Sequence, residues 1–199
     1  MSSGLLPPAA RRRIVLASRS PRRRDIMDRL GFDFEVDPPA EDTETGMACD
    51  DPFALPEILA RRKCVEVAHR RPGDVVVAAD TVVILDGHIL EKPRNDAEAT
   101  GFLRRLSGAT HSVVSGVAVM NVSADVDVSA SERTEVTFRR LDDDEIAAYV
   151  ATGEGRDKAG SYAAQGLGAL LIHSLDGCFY NVVGLPVSLL VEMLKKVTV

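Results

Sequence analysis

Ser18, Arg22 and Arg23 stand where an apolar run, residues 14–17, meets a helix announced by Ser20-Pro21. A strand that runs into a helix leaves the first-turn N–H groups and the positive end of the helix dipole at the junction. With a hydroxyl and two guanidinia around it, such a junction suits an anion, and phosphate is its natural occupant. The same residues also fit an ordinary cap followed by a solvated run of arginines, 22–24. Leu59, Lys63 and Val67 recur at i, i+4 and i+8, so Lys63 shares a helical stripe with apolar neighbours. It either faces an anion or extends past the core to water. Asp80 follows the continuous apolar run 75–79 and is expected at the carboxyl end of a buried strand, where ligands bind in open α/β sheets. Capping of the next turn is the alternative.

Lys92 lies in Glu91-Lys92-Pro93, which a hairpin turning at Asp86-Gly87 returns towards Asp80. Pro93 is expected to stop the strand there, with Glu91 and Lys92 as a plain surface pair as the alternative. The segment 40–51 is an acidic loop carrying Glu41, Asp42 and Glu44. A second acidic cluster, 142–145, opens a helix and reads as capping. Residues 153–168 hold five glycines with Asp157, Lys158, Tyr162 and Gln165 among them, without the spacing of a P-loop or a dinucleotide fingerprint. The four histidines fall singly, and no nucleophilic triad is apparent.

An anion corner, two candidate inward lysines, a strand-end aspartate and an acidic loop suit hydrolysis of a phosphoanhydride. That reaction needs cations to neutralise developing charge and a carboxylate or metal to prepare a water. Oxygen ligands of this kind select Mg²⁺ or Mn²⁺. Asp80 either activates the water or holds the metal, and the acidic loop completes the metal shell.

The elements that position these groups alternate between strand and helix. Strands are expected at 14–17, 32–36, 75–79, 82–85, 88–90, 113–122, 133–138 and 169–172, and a loop at 123–131. Helices are expected from Pro21 to a stop at Gly31, from Pro52 or Pro56 towards Arg70, from Asn95 to Gly108, over 146–150 and over 187–196. This is an α/β chain. Its 199 residues suffice for one domain with a substantial core, and residues 1–10 are expected to be disordered. The net charge of −6 weighs against nucleic acid as a partner. No run reaches membrane-spanning length and no secretory leader is apparent, so a cytoplasmic protein is expected, with organelle import left open. Cys49, Cys64 and Cys178 have neither metal nor disulfide spacing.

The motifs Ser18-Arg19-Ser20-Pro21-Arg22-Arg23, Ala60-Arg61-Arg62-Lys63, Ala79-Asp80-Thr81, Glu91-Lys92-Pro93, Leu106-Ser107-Gly108, Asp157-Lys158-Ala159-Gly160, Gln165-Gly166 and Val183-Gly184-Leu185-Pro186 occur in order over nearly the whole chain. In this the sequence resembles the Maf family of nucleoside triphosphate pyrophosphatases. The resemblance implies a two-lobed mixed sheet with flanking helices about a central cleft, similar to the inosine triphosphatase fold, and a homodimer. It implies cleavage between the α- and β-phosphates to give a nucleoside monophosphate and pyrophosphate. By position, Ser18, Arg22 and Arg23 would bind phosphate, with Arg23 nearer the base in one version. Lys63 and Lys92 would balance triphosphate charge, and Asp80 would be the catalytic carboxylate.

Gln165 resembles the subgroup acting on dTTP and UTP, since an amide can both donate to and accept from a pyrimidine edge. The 7-methyl-GTP subgroup resembles instead a pattern with Trp after Ser-Pro, and this chain has no tryptophan. The sequence departs from the family where an acidic pair is usual: Asp42-Thr43 stands there, so the metal ligand is Asp42, Glu44 or Glu41. A nucleotide-sensing regulator of cell division with incidental hydrolysis is the competing reading.

Overall fold

In the computed structural model, which describes residues 6–11, 14–40 and 49–197, the apolar residues Ile14–Leu16 form a fully buried strand, β1. It is followed by α1 (Pro21–Leu30), β2 (Phe34–Val36), α2 (Leu55–Arg70), β3 (Val75–Leu85), β4 (His88–Leu90) and α3 (Asp96–Leu106). Then come β5 (Thr110–Asn121), β6 (Val126–Phe138), α4 (Asp143–Ala151), β7 (Ile172–Asp176), α5 (Phe179–Val183) and α6 (Val187–Lys196). The seven strands make one mixed sheet in the order β2-β1-β3-β5-β6-β7, with β4 on β3. β1 runs parallel to both β2 and β3, whereas β3–β4 and β6–β7 are antiparallel.

The chain divides into two compact units, the first Met1–Asp80, Ser115–Glu132 and Gly184–Val199, the second Thr81–Val114 and Arg133–Val183. In the first, α2 lays Ala60, Cys64, Val67 and Ala68 on Val15, Ala17, Val76, Ala78, Ala118 and Met120. Gly116 permits that packing: a Cβ there would lie 2.3 Å from the backbone of Pro56 and Glu57, so only a bare backbone lets the start of α2 come this close. Burial pushes the Cys64 thiol up to about 12, and its Sγ lies 3.3 Å from Val76 O. It is a packing residue.

In the second unit the core gathers Leu85, Leu90, Leu103, Leu106, Val113, Val136, Phe138, Ile146, Tyr149 and Tyr162. His111, Phe138 and Tyr162 meet there edge to face, and His111 Nε2 lies 2.7 Å from the Tyr162 hydroxyl. The acidic start of α4 is a capping box, with Glu145 N donating to Asp142 Oδ1 and Asp142 N to Glu145 Oε2.

Several expectations are corrected. The strand holding Asp80 does not end there but continues to Leu85. The loop expected over 123–131 shrinks to a short turn around Asp125, whose φ is +54°, and β6 has begun by Val126. Its first half mixes half-buried and exposed residues without a regular alternation, and polar side chains such as Asp127 and Ser129 hide the strand pattern. The strand expected at 169–172 starts instead at Ile172, after a 3₁₀ turn over Gly166–Leu170. Near the start of the described residues, Pro8–Arg11 form a 3₁₀ turn, and Leu6, Ala9 and Ala10 are buried. Small apolar side chains at a turn can pack even without a strand or helix of their own.

Candidate active site

The anion corner is built as its residue types require. β1 ends at Leu16, Ala17 N donates to Val77 O, and the chain turns through Ser18 into α1, whose first helical residue is Pro21. Proline there is preset to the helical φ and lacks an N–H that the helix could not have used. Ser20 adopts the extended cap conformation but makes no side-chain cap hydrogen bond. Instead, Ser18 Oγ accepts from Ser20 N at 3.2 Å and from Arg23 Nη1 at 3.2 Å. Arg23 Nε also donates to Gly184 O at 2.8 Å, which fixes the guanidinium between the corner and the segment leading into α6. Arg22 and Arg23 are half-buried, and Ser18 is only 4% exposed.

Lys63 and Asp80 answer one another. Alternation along β3 puts Asp80 on the face of Val76 and Ala78, the face that α2 covers through Ala60, Cys64 and Val67. Lys63 therefore descends onto that face, and its Nζ lies 2.5 Å from Asp80 Oδ1. Their side chains are 7% and 13% exposed. The anion that an inward lysine demands is thus supplied by the protein. Among the described residues, Asp80 Oδ2 has no protein partner.

The register explains why an aspartate inside a strand can still face a ligand. β1 pairs with β3 only as far as Leu16–Val77, and β4 pairs from Val83 onward, so Asp80 lies in the interval between these partners. Because β1 and β3 are parallel, Asp80 is also beyond the carboxyl end of β1, on the side where Ser18 leads into α1. Asp80 thus lies past the end of β1 but inside its own strand.

Lys92 is exposed, two residues beyond the end of β4, in the second unit; the backbone there is held by Gly160 N donating to Glu91 O. Gln165 is exposed in the same unit, immediately before the 3₁₀ turn Gly166–Leu170. Glu41, Asp42 and Glu44 lie outside the described residues. Among the described residues no three His, Cys, Asp or Glu gather as a metal cluster.

Two supporting groups escape a reading of the sequence. One is the Gly184 carbonyl that holds Arg23, a backbone atom with no side-chain signal. The other is Glu154, whose carboxylate accepts from Leu167 N, Gly168 N and the Tyr149 hydroxyl. Desolvation raises its pKa, but these three donors and the charge of Lys158 outweigh it and leave the group below the usual carboxylate range. Its one sequence signal is a carboxylate set between Gly153 and Gly155.

The chain is similar to known proteins over most of its length. The chain is 48% identical over 183 residues to a dTTP/UTP pyrophosphatase of Pelotomaculum thermopropionicum, covering 92% of this chain and 95% of that one. It is 42% identical to a dTTP/UTP pyrophosphatase of Pyrococcus furiosus, covering 92% and 95%, and 46% identical to one of Symbiobacterium thermophilum, covering 92% and 93%. Among solved structures, a HAM1 protein from Coxiella burnetii aligns with a TM-score of 0.45 at 18% identity, over 65% of this chain and 74% of its own. The family model described as Maf-like protein matches residues 13–197, and with that span nearly the whole chain belongs to the Maf-like family.

Proposed function

We propose that this protein is a nucleoside triphosphate pyrophosphatase that hydrolyses dTTP and UTP, including modified forms, to the monophosphate and pyrophosphate. The observation that carries the reading is the buried Lys63–Asp80 pair beyond the carboxyl end of β1, in the same unit as the Ser18, Arg22 and Arg23 corner. Relatives at 42–48% identity that are named dTTP/UTP pyrophosphatases support the substrate assignment.

In this mechanism the guanidinia of Arg22 and Arg23, with Ser18, hold phosphate oxygens at the start of α1. Lys63 and Lys92 offset negative charge on the triphosphate as the bond between the α- and β-phosphates breaks. The attacking water gives its oxygen to the new monophosphate, pyrophosphate departs, and the water's proton passes to Asp80 or to solvent. Lys63, 2.5 Å from Asp80 Oδ1, keeps the carboxylate oriented to accept that proton. Gln165 presents both a donor and an acceptor to the pyrimidine edge.

The donor chemistry fits Mg²⁺ or Mn²⁺: Asp80 offers a carboxylate oxygen without a protein partner among the described residues, and Asp42, Glu44 or Glu41 is the further ligand proposed. Such an ion supplies charge stabilisation and an acidified water. Asp80 then acts as metal ligand or as base.

No helix of the described residues is long and apolar enough to cross a membrane. Cytoplasmic placement and a homodimer complete the proposal, supported by the composition and by the family resemblance respectively.

Product analysis tests the reaction itself. Incubation of UTP with enzyme and Mg²⁺ is expected to yield UMP and pyrophosphate in equal amounts, to stop on chelation and to resume when Mg²⁺ or Mn²⁺ is restored. Release of UDP and inorganic phosphate would overturn it.

A further inference from the structure

Contacts converge on Gln165 from both sides. Two residues before it, Ala163 N donates to the Tyr149 hydroxyl at 3.2 Å, and that hydroxyl donates to Glu154 Oε2 at 2.8 Å. Just after it, Leu167 N donates to Glu154 Oε1 at 3.0 Å and Gly168 N to Glu154 Oε2 at 2.8 Å. Tyr149 lies in the last turn of α4 and Glu154 three residues past its end, so the clasp is anchored on a helix packed in the core of its unit. The turn closes tightly. A Cβ on Gly166, where φ is +85°, would lie 2.2 Å from Glu154 Oε1, and one on Gly168 would lie 2.1 Å from Ala163 O.

Gln165 is therefore an exposed side chain on a short segment whose two flanks are tied to one tyrosine–carboxylate pair. Three donors to a single half-buried carboxylate make a stiffer mount than an exposed glycine-rich loop would otherwise have. A flexible glutamine would lose rotamer and backbone freedom on meeting a base, and a mount that is already ordered reduces that loss.

We propose that Glu154, together with Tyr149, is the positioning element that sets Gln165 for base recognition, and that it thereby sets discrimination between pyrimidine and purine nucleoside triphosphates. The inference rests on the reading of Gln165 as the base-recognising residue. Glu154 acts through the loop and does not itself meet the base.

The test measures kcat and KM for pyrophosphate release from UTP and from GTP, below the melting temperature of each variant. The proteins are wild type, Glu154→Gln, Tyr149→Phe, Gln165→Ala and the double variant Glu154→Gln/Gln165→Ala. Glu154→Gln keeps the size of the side chain but leaves one acceptor oxygen for three donors. It is expected to lower the UTP-to-GTP ratio of kcat/KM about tenfold, chiefly through KM for UTP. In the Gln165→Ala background the same change is expected to move that ratio less than about twofold, because the residue it acts through is gone. Tyr149→Phe, which removes only a hydroxyl, is expected to lower the ratio about threefold and carries the test if Glu154→Gln does not fold. Equal loss on both nucleotides, or losses that multiply in the double variant, would reduce Glu154 to a stability role and overturn the proposal. If Gln165→Ala itself leaves the ratio unchanged, base recognition by Gln165 fails and the positioning role fails with it.

Discussion

Lys63 Nζ and Asp80 Oδ1 are 2.5 Å apart although they belong to a helix and a strand and are 17 residues apart in sequence. A pair this secluded is poor as a source of stability, because both ions give up water to form it. Its retention in an otherwise apolar layer of Ala60, Cys64, Val76 and Ala78 is better understood as a fixed, charged tool.

Asp80→Asn keeps the shape of the side chain and removes its charge. Turnover is expected to fall about 10³-fold, the range of a lost general base, while nucleotide binding persists. Titration calorimetry with UTP on the variant, beside its rate, checks both halves. Lys63→Met goes further by leaving Asp80 buried without its cation, and is expected to cost about 3 kcal/mol of stability in urea unfolding as well as activity.

Gln165→Glu exchanges an amide for a group that only accepts hydrogen bonds. Preference for UTP and dTTP over GTP is expected to drop by at least roughly tenfold, since a carboxylate cannot donate to a pyrimidine carbonyl. Steady-state competition between UTP and GTP measures it, and unchanged discrimination would remove Gln165 from base recognition.

Gly116→Ala tests the packing that delivers Lys63. The new Cβ would press on the Pro56–Glu57 backbone at 2.3 Å, and backbone cannot rotate aside as a side chain can. A loss of about 3 kcal/mol is expected in chemical denaturation, and activity is expected to fall even at temperatures where the variant remains folded. A fully active, fully stable variant would show that α2 tolerates displacement.

The second unit carries an acid-sensitive group. His111 is 2% exposed, and burial lowers its pKa from 6.5 to about 4, partly opposed by the charge of Glu135. The unfolded chain takes up this proton near pH 6.5, whereas the folded protein resists it until about 4. Stability is therefore complete above the unfolded value and is lost as the pH falls through that window, by roughly 3 kcal/mol at its acid end. His111→Phe should cost about 1–3 kcal/mol at neutral pH, because the Tyr162 hydroxyl loses its partner. Its unfolding free energy should then fall less steeply between pH 7.5 and pH 5 than that of wild type.

Much of this architecture is legible in the residues. Proline after serine marks the start of α1, Gly31 its left-handed end, and Asp86-Gly87 the hairpin. The stripe through Leu59, Lys63 and Val67 places Lys63 inward, and the structure adds the partner that spacing along a helix cannot name. The length of β3 is hidden because Asp80-Thr81 looks like a strand terminus. A polar pair inside a strand gives that signal whether or not the backbone pairing resumes beyond it. Glu154 and the Gly184 carbonyl are hidden for another reason: each interaction has a backbone group on one side, Leu167 N and Gly168 N for Glu154 and the carbonyl itself for Arg23, brought close only by tertiary folding.

The most direct test of the account is the initial rate of pyrophosphate release, with Mg²⁺, across dTTP, UTP, CTP, GTP, 7-methyl-GTP and ITP, with Asp80→Asn as the control. Rapid turnover of dTTP and UTP alone, abolished in the variant, is the predicted result. Equal turnover across the panel, turnover that survives Asp80→Asn, or tight UTP binding with no pyrophosphate released would contradict it.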